Sequence, residues 1–111
     1  MEAATTDIEI IAGAYYITGN MVWLSVRMNI KNNISSANIV SLFKLPANPL
    51  IRATENCVSY TTIYNGTTWS SYAGMAALVY NGGSYYVRER VTSTLTSGSI
   101  LDMMLIYAIP Q

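Results

Sequence analysis

The chain has 111 residues, with six basic and six acidic side chains, no histidine and one cysteine; charged residues make up 11% of it, against about 25% in a typical soluble domain. The length suits a single domain, residues 1–111, and the neutral charge balance lacks the basic footprint that nucleic acid or an anionic membrane surface requires. One Cys without His supplies neither the usual zinc ligands nor an internal disulfide, and it leaves histidine-based acid–base catalysis without a residue to run on.

The start, Met1 to Asp7, has no basic segment and no apolar segment, so no signal peptide is expected. Asp7 to Ala12 reads as a short strand and Ala14 to Thr18 as a second β-prone run. Gly19-Asn20 is a two-residue hairpin turn in which glycine accepts positive φ. From Met21 to Lys31, Val22, Leu24, Val26, Met28 and Ile30 alternate with Met21, Trp23, Ser25, Arg27 and Asn29, the period of a strand with one face in a core. Lys31 to Asn38 is a loop by composition, and Ile39 to Leu45 a short strand. Pro46 and Pro49 interrupt any regular element, because proline lacks the amide donor.

Ile51 to Tyr64 reads as one or two strands closed by the turn Asn65-Gly66, and Thr67 to Tyr72 leads out of it. Gly74 to Tyr80 is apolar, and its uninterrupted run Met75 to Tyr80 is far below the roughly 18–20 residues a membrane-spanning helix needs. That run is ambiguous between strand and helix, but it is short for a helix and close to glycines. Asn81-Gly82-Gly83 turns into a strand over Ser84 to Val91, and Ser97-Gly98 turns into the last strand, Ser99 to Ile109. Short strands with turns every 8 to 12 residues indicate an all-β fold: an antiparallel β-sandwich, jelly roll or barrel.

Two features point to self-association. The last strand is apolar on both faces, with Leu101, Met103, Leu105, Tyr107 and Ile109 on one and Ile100, Met104, Ile106 and Ala108 beside Asp102 on the other. In a two-layer fold only one face meets the core, and a neighbouring subunit is the simplest cover for the second. Residues 56–87 contain no charge, and neutral surfaces promote association.

Catalysis has little to work with. Glu55, Glu89 and Asp102 are the carboxylates beyond the N-terminal region, and no spacing brings two of them together as a glycoside hydrolase requires. Glu89, between Arg88 and Arg90, is expected in a surface ion pair. Asp102 is expected to pair with an arginine or with hydroxyls, because a lone buried carboxylate is costly. Cys57 is expected in the core. Asn33-Ile34-Ser35 and Asn65-Gly66-Thr67 match the glycosylation sequon, a chance match in a chain without a signal peptide.

Binding is better served. A sugar ring has an apolar C–H face and a polar edge, which suits amphipathic Trp and Tyr beside amides and hydroxyls. Trp69 and Tyr72 lie beside Asn65-Gly66, and Tyr85 and Tyr86 follow Asn81-Gly82-Gly83. Trp69, Tyr72, Tyr85, Tyr86, Asn65 and Asn81 are therefore the expected saccharide site, provided the two clusters meet. Trp23, on the face of Ser25 and Arg27, is expected at an interface or partly buried.

The hairpin segment Ala14 to Leu24 is followed about 20 residues later by Leu42-Phe43-Lys44-Leu45-Pro46, then by Pro49 and Arg52, and the chain closes on Gly98-Ser99-Ile100-Leu101 and an apolar strand. This order resembles the C-terminal head domains of bacteriophage tail-fibre and baseplate receptor-binding proteins of siphophages that infect Gram-positive hosts, over roughly residues 8 to 110. The resemblance implies a homotrimeric β-sandwich or jelly-roll head at the end of a longer fibre or baseplate protein; from the residues themselves no enzymatic activity and no cofactor are expected. It implies a place in the virion tail, with host cell-wall saccharide and other tail or baseplate proteins as partners, and with no nucleic acid and no membrane insertion. Alternatives are a purely structural trimerisation or baseplate-assembly domain, or the trimeric jelly-roll tip of a bacterial surface fibre.

Overall fold

The structure, a computed structural model, describes residues 1–45, 57–73 and 75–109. Among these residues there are nine strands and no helix. They are β1 (Glu2–Ala3), β2 (Ile8–Thr18), β3 (Met21–Ile30), β4 (Ile39–Lys44), β5 (Cys57–Tyr64), β6 (Trp69–Ser71), β7 (Met75–Asn81), β8 (Ser84–Arg90) and β9 (Ile100–Ala108). They form two antiparallel sheets, one ordered β1-β4-β8-β7 and the other β2-β3-β9-β5-β6. The chain is all-β, and its two antiparallel sheets over a common core are compatible with a β-sandwich.

The period-two alternation sets the layers. Val22, Leu24, Val26, Met28 and Ile30 of β3 are buried, as are Leu101, Met103, Leu105 and Tyr107 of β9. From the four-stranded sheet Phe43, Leu78 and Val87 meet them. Between Ser41 and Phe43 the β4–β8 register shifts, so the extra residue Leu42 joins Phe43 in the core. Two loops are pinned together where Ile34 and Leu95, both buried, form an isolated bridge with reciprocal main-chain hydrogen bonds of 2.9 Å.

The turns follow the glycines. Gly19 at φ 60° closes the β2–β3 hairpin, in which Thr18 pairs with Met21. Gly82 and Gly83 both have positive φ, the type I′ geometry that matches strand twist, and Asn81 pairs with Ser84 across them.

Several expectations need correcting. The two N-terminal runs are one strand, β2, with a bulge at Ile11 between the pairs Ile10–Met28 and Ala12–Arg27. Gly13 within it lies under the Met1 side chain, and a Cβ at this position would overlap that thioether methyl. The ambiguous apolar run is strand β7. Of the stretch Ile51 to Tyr64, Cys57–Tyr64 forms β5, and the earlier part lies outside the described residues with Pro46 and Pro49. Glu89 is not in a surface ion pair. It lies on the inner face of β8, in register with Ala76 and Val40, and is 1% exposed. Strand alternation turns Arg88 and Arg90 the opposite way, so neither neighbour can reach it.

Candidate functional site

The outer face of the five-stranded sheet is covered by no other element among the described residues. Register assembles its rows. Ala12, Arg27, Asp102, Thr62 and Ser71 form one, and Ala14, Ser25, Met104 and Tyr60 form the next. Small side chains on β2 and β3 beside large ones on β5 leave an open hollow of about 500 Å³, bounded by Ala12, Ala14, Ser25, Tyr60, Thr62 and Met104.

The Arg27–Asp102 ion pair lies in this hollow. Arg27 donates through Nε to Asp102 Oδ1 at 2.7 Å and through Nη2 to Oδ2 at 2.8 Å, the bidentate fork geometry. The hydrogen bond and charge of Asp102 raise the guanidinium pKa further above its ordinary value. The Arg27 guanidinium carbon also sits 5.4 Å from the centre of the Trp69 ring, within cation–π range. Trp69 in turn packs against Tyr64 at 5.1 Å, and the Tyr60 hydroxyl lies 3.4 Å from Ser71 Oγ. The hollow therefore joins an aromatic wall, a neutralised ion pair with unused donor and acceptor capacity, and the hydroxyls of Ser25 and Thr62. It offers a planar apolar surface and polar edges with no net charge.

Of the six residues expected to form a saccharide site, Trp69 does not line this hollow but meets it through its contact with Arg27, and it remains half-exposed. Asn65 lies close by in sequence, but its Oδ1 accepts from the amides of Thr67 and Thr68 at 3.0 Å and so shapes the turn. Tyr72 is buried. Its hydroxyl donates to the Ser93 carbonyl at 2.8 Å and accepts from the amides of Thr92 and Ser93 at 3.1 and 3.3 Å. Its role is to hold a loop, because no capacity is left for a ligand. Tyr85 is half-buried on the inner face of β8 and packs against Tyr80 at 4.9 Å. Tyr86 is half-buried on the outer face of the other sheet, and Asn81 is exposed at the β7–β8 turn. Trp69 and Tyr86 are thus on opposite outer faces, and the fold does not bring the two clusters together.

Sequence reasoning leaves Arg27, Ser25, Tyr60 and Thr62 out of the site. The available signal is charge: Arg27 and Asp102 are single opposite charges on the outer faces of two strands, β3 and β9, that otherwise carry none. The expected Asp102–arginine pairing is present, and it is made within one chain.

A second polar group lies inside the core. Among the described residues, both Glu89 carboxyl oxygens and the Tyr107 hydroxyl are buried without a hydrogen-bond partner. Burial pushes the Glu89 pKa up to about 7, and it pushes Tyr107 up to about 12, with smaller contributions from Cys57 and Tyr15. Cys57 is half-buried, packed against the core with Sγ 3.7 Å from the Ala76 carbonyl. Burial raises its pKa first, and the Glu89 charge raises it further against a lowering main-chain hydrogen bond from Leu78. Among the described residues no group of three His, Cys, Asp or Glu is placed to hold a metal ion.

No protein-family model, no curated protein and no solved structure matches the chain.

Proposed function

We propose that this chain is a non-enzymatic attachment head that binds a neutral surface saccharide in the hollow of the five-stranded sheet. The observation that carries this reading is the bidentate Arg27–Asp102 pair in a hollow of about 500 Å³, stacked on one side by Trp69. A sugar lays its C–H face on Trp69 or Tyr60 and its hydroxyls against the remaining capacity of Arg27, Asp102, Ser25 and Thr62. Single-site affinity is low in an open site of this kind, and several copies on one fibre compensate through avidity, by about 10²- to 10⁴-fold. The jelly-roll topology, three-fold stoichiometry and location on a phage or prophage tail implied by the sequence resemblance belong to the same proposal, with cell-wall saccharide of the host as ligand.

A purely assembly-related role is the second reading. It is favoured by the apolar end of the same face, where Tyr16, Trp23, Val58 and Ile106 lie in one row. Screening immobilised cell-wall glycans against the wild type, Trp69→Ala and Tyr86→Ala separates the two. Saccharide binding lost in Trp69→Ala and kept in Tyr86→Ala supports the hollow; no retained glycan, or equal binding by Trp69→Ala, overturns it.

A further inference from the structure

β2 is an edge strand of the five-stranded sheet, and half of it has no cover on either face. Its partner β3 has a fully buried inner face, but β2 lies one strand further out: the N-terminal segment covers its first half, burying Ile8 and placing Met1 over Gly13, and nothing among the described residues covers the half beyond. Tyr15 and Ile17, which pair with the buried Leu24 and Val22, are therefore 44% and 39% exposed on the inner side, while Tyr16 is 59% exposed on the outer side. Every residue from Ile11 to Thr18 is exposed.

Proteins normally protect such edges with charges, proline, bulges or brevity. Of the other sheet edges, β6 has three residues and β1 has two, while β7, with seven, is packed by β5, whose Cys57 Sγ lies 3.7 Å from the Ala76 carbonyl. β2 has eleven, and no residue from 10 to 26 is charged or proline. Its one bulge, at Ile11, disturbs the strand's N-terminal part and leaves Ala12–Thr18 in regular register. The outer face beside this segment is equally apolar. Tyr16 stacks on Trp23 with centroids 5.9 Å apart and planes within 2°, and Val58, 67% exposed, and Ile106 continue the row. A hollow of about 200 Å³ among Ala14, Tyr16, Trp23 and Met104 is open to receive a side chain.

We infer that the free edge of Ala12–Thr18, with the adjoining corner of Tyr16, Trp23, Val58 and Ile106, is the surface on which a second copy of this chain seats. The main-chain groups of β2 pair with an edge strand of the second copy, and the apolar corner is covered in the same contact. At about 150–250 Å² per aromatic side chain, partly open rings, the aliphatic side chains and the strand backbone together present on the order of 600 Å². A stable interface needs about 800 Å² per partner, so a modest rim completes it. The largest apolar patch on a monomer is typically about 300–600 Å², which places this surface at the upper limit for a chain that stays alone. The absence of charge across the segment removes the repulsion that two identical surfaces would otherwise meet. β2 against β2 closes as a pair, whereas β2 against a different edge of a neighbour gives a ring where the rotation closes, as the three-fold stoichiometry proposed above requires, so the mass also reads the symmetry.

The saccharide hollow shares Ala12, Gly13 and Ala14 with this strand, but it lies on the outer face of the sheet whereas the pairing uses the main-chain edge, so assembly and glycan binding are read by separate measurements and the two readings fail separately. Light scattering at tens of micromolar should give a multiple of 12.2 kDa for the wild type. Tyr15→Lys/Ile17→Lys places charge on side chains that are already solvent-exposed, and it should give 12.2 kDa with unchanged circular dichroism. The alternate amides of Ala12–Thr18 that point away from β3 should be protected from hydrogen exchange in the wild type and exchange at least tenfold faster in the variant. A second variant, Val58→Lys/Tyr16→Lys, tests the corner by the same mass measurement. A wild type of 12.2 kDa, lysine variants that keep the wild-type mass, or an oligomer in which those alternate Ala12–Thr18 amides are unprotected would each overturn the inference. Monovalent glycan binding by the dissociated variant reports on the hollow independently.

Discussion

Replacing Glu89 with glutamine should change how stability depends on pH, and the size follows from burial. In the unfolded chain the carboxyl ionises near 4.5; in the folded chain burial raises this to about 7. Between these values the folded state holds a proton that the unfolded state has released, so stability falls as pH rises. The contribution is complete below about 4.5 and lost once pH has risen through 7. Each pH unit of displacement corresponds to about 1.4 kcal/mol, so the loss is about 3 kcal/mol. The amide of the Glu89→Gln variant would keep the shape and burial of the protonated acid without the titration. Urea unfolding followed by Trp23 and Trp69 fluorescence, in steps from pH 4.5 to 8.5, measures this directly. With slopes of about 1–3 kcal/mol per molar urea, the wild-type midpoint should drop relative to Glu89→Gln by about 1–3 M across the series. Other carboxylates titrate alike in both proteins and cancel. The neighbouring groups stay silent over this range, because burial holds the Cys57 thiol and the Tyr107 hydroxyl in their neutral forms. Parallel curves, or a wild type that gains on the variant as pH rises, would refute the reasoning.

Tyr72→Phe removes the hydroxyl that serves the Ser93 carbonyl and the Thr92 and Ser93 amides. It should cost about 1–3 kcal/mol in urea unfolding while leaving glycan binding intact. Ala37 has φ 70°, where a side chain is strained, and Ala37→Gly should stabilise by about 0.5–1 kcal/mol, read as a rise of several degrees in melting temperature. Asp102→Asn breaks the fork on Arg27 and should weaken saccharide binding at least tenfold, measured by calorimetry, with little change in melting because the pair is solvent-exposed.

The parts of the fold visible in the sequence are those fixed by local rules. Alternation from Val22 to Ile30 identifies the core face of β3, and Gly19-Asn20 and Gly82-Gly83 identify their hairpins through backbone freedom. The second apolar face of β9 is legible too: Met104 and Ile106 do lie on a sheet surface that no described element of the same chain covers. What sequence does not supply is pairing order. Trp69 and Tyr86 look equivalent beside their turns, yet β6 and β8 belong to different sheets, and the expected site divides between two outer faces. Arg27 and Asp102 meet because β9 lies beside β3, a neighbourhood that no local pattern specifies. Counting its charged neighbours misplaces Glu89; alternation, applied to Val87 and Glu89 together, turns both inward.

The position of β9 bears on how the chain reaches this fold. The last strand in sequence is the middle strand of its sheet: β3 hydrogen-bonds to one side of it and β5 to the other, with Met21 facing Ala108 and Cys57 facing Tyr107. During synthesis the β2–β3 hairpin and β5 emerge early and wait with unfilled hydrogen-bonding edges until the final strand arrives. Such non-local closure makes for slow, late folding and a long exposure of apolar edges. Shortening the chain before residue 100 would not trim the protein but leave two half-sheets with nothing between them.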